Sequence, residues 1–133
     1  MKCSADEVHV MSRALAMHTE WERMMARGLA MVAVEEPGVD EVKAQLEQLL
    51  AAKTEGALRL SPDGVDALRA MISETAEVLR GYLGASKGTR SQGIGRYGML
   101  EDYFGEELRD PAAAKRLLAQ LDTLTQRTGL EAI

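Results

Sequence analysis

Apolar residues recur with a helical period through the first thirty positions. Val10, Met17, Met24 and Met31 stand seven apart, with Ala14, Trp21 and Gly28 between them. Beside this ridge runs a second one, made of Met11, Leu15, His18, Met25, Leu29 and Val32. Two adjacent ridges make a wide apolar face, so the pattern predicts a helix over 5–33 that is central to a bundle or shared with a partner. Ser4 and Glu7 precede it in the spacing of a capping box. Thirty helical residues span about 45 Å, against about 36 Å for a compact domain of this length. The helix therefore either breaks near Gly28 or projects and needs company.

Pro37-Gly38 reads as a turn. A second helix is expected over 38–54, with Val39, Val42, Leu46, Leu49 and Leu50 inward and Gly56 as its stop. Residues 57–60 are a connector too brief to establish a sheet. Ser61-Pro62 supplies an N-cap and a first-turn proline for a third helix over 62–83, whose inward face is Val65, Leu68, Ile72, Leu79 and Leu83. A shorter fourth helix over 99–109 carries Leu100, Tyr103, Phe104 and Leu108 on one side. Asp110-Pro111 opens a fifth over 111–128, lined by Leu117, Leu118, Leu121 and Leu124 and closed by Gly129. No stretch alternates with period two for long enough to be a strand. The expected fold is all-α: a compact four- to five-helix bundle with one long glycine-rich basic loop, forming a single helical domain over 1–133.

Composition fits this picture. A chain that is 46% hydrophobic and 28% charged belongs to the globular class. The lone Cys3 excludes an internal disulfide and suits a reducing compartment. Acids near the start do not fit a signal peptide, and the longest apolar run, 28–34, falls far short of the ~20 residues that cross a bilayer. A cytoplasmic location without membrane contact is the expectation.

Charge is distributed unevenly. The net charge is −5, yet residues 78–100 contain no acid and carry Arg80, Lys87, Arg90 and Arg96. Six of the twelve glycines and two of the five aromatics, Tyr82 and Tyr97, fall in the same stretch. Residues 86–98 are longer than most helix–helix connections. Within them, Gly93-Ile94-Gly95-Arg96-Tyr97-Gly98 matches G-x-G-x-x-G, but neither a buried strand before it nor a βαβ unit around it supports a dinucleotide site. A simpler use is open to the loop. Lys87, Arg90 and Arg96 can meet phosphates, with Tyr97 stacking on a base of RNA or single-stranded DNA.

Catalytic patterns are missing. Cys3 has no evident base, the serines are not in nucleophile-elbow contexts, and the paired carboxylates read as solvated faces. His18 and Glu22 stand four apart on one face, while His9 lies on the opposite side of the helix. The expected arrangement is a hydrogen-bonded pair at the core's edge, with no metal, because no third ligand stands nearby in the sequence.

The function these features point to is non-enzymatic: an adaptor, regulator or small subunit acting through the methionine-rich first helix. Met17, Trp21, Met24 and Met31 would bear another protein or a second copy of the chain. The alternatives are a nucleic-acid accessory protein using Lys87, Arg90, Arg96 and Tyr97, and a small helical enzyme without a recognisable motif. No cofactor is implied.

Overall fold

The computed structural model describes residues 1–28, 36–53, 55–85 and 96–131, with side chains through 129. Five helices are found among them: α1 (Ala5–Gly28), α2 (Val39–Ala52), α3 (Pro62–Gly84), α4 (Arg96–Leu108) and α5 (Pro111–Glu131). The protein is an all-α bundle, as the periodicity predicts. To it is added a two-stranded antiparallel bridge between β1 (Lys2–Cys3) and β2 (Gly56–Ala57), with Lys2 opposite Ala57 and Cys3 opposite Gly56. The connector after α2 thus pairs with the segment before α1. None of the described helices is long and apolar enough to cross a membrane.

Local chemistry explains the boundaries. The Ser4 amide donates to Glu7 Oε1 at 2.9 Å and the Glu7 amide to Ser4 Oγ at 3.1 Å, completing the capping box of α1. Ser61 Oγ accepts from the Gly64 amide at 3.3 Å while Pro62 opens α3. Asp110 Oδ1 takes the Ala112 amide at 3.0 Å ahead of α5. The stop of α2 differs from expectation: Lys53, at φ 53°, turns left-handed and donates its amide to the Leu50 carbonyl, while Gly56 has already entered β2. Gly38, at φ 87°, is required for a second reason. A Cβ there would stand 2.3 Å from the Asp63 carbonyl oxygen, so only glycine lets α2 start this close to α3.

Polar clasps then fix α2 to the approach of α3. Glu41 accepts from the Ser61 amide at 2.6 Å and the Ser61 hydroxyl at 2.5 Å, which holds its carboxyl below the usual range. Gln45 exchanges two hydrogen bonds with the Arg59 backbone, at 2.5 and 2.8 Å.

The core is built around α3, which packs against α5 on one side and α1 on the other. Met11 of α1, Ile72 and Leu79 of α3, Leu100 and Phe104 of α4, and Leu121 of α5 are fully enclosed. Helix α4 kinks at Phe104, whose φ of −129° and ψ of 22° are not helical. Arg13 braces the kink: its guanidinium lies 4.6 Å from the Phe104 ring centroid, donates to the Tyr103 carbonyl at 3.3 Å and pairs with Glu107 at 2.7 Å.

Candidate functional site

Along α1 the apolar face changes character. Every buried residue of this helix, from Val8 to Met17, lies in its first thirteen positions. Beyond Met17 the cover thins: His18 and Trp21 are still packed against α3 and α4, but the residues that follow are not. Trp21 is half-buried, and Met24 and Met25 are 49% and 44% exposed. Leu50, expected to point inward, is 37% exposed near the end of α2. Its predicted role in the core is therefore corrected: Leu46 and Leu49 pack against the core, while Leu50 lines a groove open to solvent.

Met24 and Leu50 line a groove of about 570 Å³ between α1 and α2, to whose wall Tyr103 of α4 also contributes. Leu15 and Leu46, both buried, contribute to its floor. Five charged residues line it: Arg23, Arg27 and Lys43 against Glu20 and Glu47. Glu20 is engaged, accepting a short hydrogen bond from the Tyr103 hydroxyl. That bond, followed by burial and the carboxylate's charge, pushes the Tyr103 pKa up to about 12. Arg23, Arg27 and Lys43 form no ion pair among the described residues. The groove is apolar in its floor, and its rim carries three cations against two carboxylates, Glu20 and Glu47, a small positive excess.

The residues expected to bear a partner are thus divided. Met17, only 5% exposed, belongs to the core and offers a partner nothing; neighbouring helices enclose its position on the ridge. Trp21 does not face the groove. It shares a small cleft with Met17, His18, Glu74 and Met99, and the Arg96 guanidinium lies over its ring, 4.7 Å from the centroid. Met24 alone of the four is placed in the groove, and Met31 lies outside the described residues. Leu50, Arg23, Arg27, Lys43 and Tyr103 went unrecognised as groove residues. Periodicity identifies an apolar face but not the point at which neighbouring elements stop covering it.

The basic set is divided as well. Lys87 and Arg90 lie outside the described residues, as does the segment 86–95. Arg96 opens α4, three positions earlier than expected, and pairs with Glu74. Tyr97 packs edge-on against Tyr82, with ring centroids 5.6 Å apart and planes at 88°. These contacts make Arg96-Tyr97-Gly98 helical despite the glycine, whereas the sequence suggested loop.

His18 corrects another expectation. Its hydrogen-bond partners come from elsewhere in the fold rather than from Glu22 one turn along: Nδ1 stands 3.0 Å from Glu74 Oε2 of α3, and Nε2 stands 3.3 Å from Glu36 Oε2 ahead of α2. The His18 side chain is only 9% exposed. One donor atom each from His18, Glu22 and Glu36 lie within 4.8 Å of one another.

No protein-family model matches the chain, and neither a curated protein nor a solved structure matches it.

Proposed function

We propose that this protein is a non-enzymatic interaction module that receives an amphipathic, acidic helix of another protein in the groove between α1 and α2. The observation that carries this reading is the pair Met24 and Leu50, large apolar side chains left exposed along one groove. Large apolar side chains grouped in one groove and rimmed by polar residues offer a surface that an incoming helix can cover. Flexible methionine in such a groove adapts to the side chains of an incoming helix.

Charge supports the choice of occupant. Arg23, Arg27 and Lys43 stand unpaired among the described residues at the rim, and acids flanking the apolar stripe of a partner helix would meet them. Two-fold self-association by the same face sets a patch against its own copy. Two copies face to face would bring six cations against four carboxylates, a net positive seam, whereas an acidic helix neutralises the rim; this favours a foreign partner over a second chain. The nucleic-acid alternative draws no support from Arg96 and Tyr97, since each is engaged within the chain.

Selection from a displayed library of amphipathic helical peptides tests this reading. Peptides enriched on the native chain should carry net negative charge and should be lost on a Met24→Asp, Leu50→Asp double variant. No enrichment, or enrichment that the double variant retains, would overturn it.

A further inference from the structure

Both ring nitrogens of His18 face carboxylate oxygens, Nδ1 toward Glu74 and Nε2 toward Glu36. A neutral imidazole carries a single N–H, so one nitrogen must present a lone pair. If Nδ1–H donates to Glu74, the lone pair of Nε2 points at the Glu36 carboxylate. Two electron-rich groups 3.3 Å apart call for a cation between them. A second proton would serve, and so would a metal ion.

Glu22 favours the metal ion. It lies one helical turn beyond His18, and its carboxylate joins the same group of donors, all within 4.8 Å of one another. A proton has no use for a third ligand, whereas a metal ion does. We propose that His18 Nε2, Glu22 and Glu36 bind one divalent transition-metal ion, with Glu74 orienting the imidazole from behind.

The surroundings are consistent with this role. A ligating histidine characteristically donates its other nitrogen to a carboxylate, which fixes the tautomer and raises the basicity of the ligand. Glu74 holds that place, and is itself anchored by Arg96 through its other oxygen. The charge of Glu74 is thereby balanced by Arg96, which leaves Glu22 and Glu36 as the two negative charges a divalent ion would neutralise. One imidazole with two carboxylates suits zinc, iron(II) or manganese better than calcium or magnesium, which prefer oxygen alone. Three protein ligands leave a position for water. His18 is held in the core's margin, while Glu22 and Glu36 are exposed, so an ion can enter from solvent. The site is separate from the groove of the proposed function: none of its ligands lines that groove.

The test uses the full, untagged chain, stripped with chelator and titrated with zinc(II) by calorimetry and with cobalt(II) by fluorescence. Trp21, the single tryptophan, shares a cleft with His18 and reports cobalt binding by quenching. One-to-one saturable binding is expected. His18→Gln should abolish it, and Glu22→Gln and Glu36→Gln should each weaken it by about tenfold or more. Glu74→Gln should cost about 10- to 100-fold, and His9→Gln should leave it unchanged. Glu22 is exposed and makes no hydrogen bond or ion pair among the described residues, so its variant keeps the test independent of folding. Absence of one-to-one binding, or binding that Glu22→Gln and Glu36→Gln leave unaltered, would overturn the proposal.

Discussion

At the scale of single residues, Tyr103 gives the most direct chemical signature. Its hydroxyl donates to Glu20, and a phenolate there would face a carboxylate instead of donating to it, so the neutral form is held and the pKa is raised from 10.0 to about 12. The folded state then binds its proton more tightly than the unfolded chain does. The stabilisation from this bond is full below pH 10 and is lost as pH rises through about 12. An ultraviolet titration of the native chain against Tyr103→Phe should resolve this late-ionising tyrosine, and Glu20→Gln should return it toward 10. A Tyr103 that ionises near 10 in the native chain would show that the bond is absent in solution. His18 and Arg96 belong to the same scale. Their residue types are plain in the sequence, but their partners are not. Glu74 is 56 positions from His18, and a separation of that size leaves no periodic trace.

Elements were more legible than sites. Ser4 with Glu7, Ser61 with Pro62, and Asp110 with Pro111 each announce a helix start, because capping and proline act within one turn. The stop of α2 and the start of α4 were less so. Lys53 accepts a left-handed conformation that glycine would adopt more readily, and Arg96 and Tyr97 begin a helix because Glu74, Trp21 and Tyr82 hold them. Helix α1 shows the limit of periodicity most clearly. Met17 and Met24 are equivalent on its ridge, yet one is 5% exposed and the other 49%. Met17→Ala should therefore cost about 2–5 kcal/mol of stability, and Met24→Ala within about 0.5 kcal/mol. Denaturant unfolding measures both, and equal costs would mean that the outer half of α1 is covered.

The whole molecule is acidic, whereas the groove carries three cations against two carboxylates. A net charge of −5 repels acidic partners at long range, so an acidic helix would be drawn only to the local field of Arg23, Arg27 and Lys43. Neither the groove nor its charge was legible beforehand, because it is assembled from α1, α2 and one residue of α4. The distant contacts that place these elements also determine which of their apolar residues remain open. What the sequence did convey was that the first helix has more apolar face than a bundle of this size encloses. Met24 and Met25 embody that surplus.

Site-specific photo-crosslinking in the cells that make this protein tests the docking claim most directly. A photoreactive residue would replace Met24, Leu50 or, as a control, Arg116, which is exposed on α5 away from the groove. The same protein partner should be trapped from positions 24 and 50 and not from 116. Trapping equally from all three positions, or from 116 alone, would contradict a partner seated between α1 and α2.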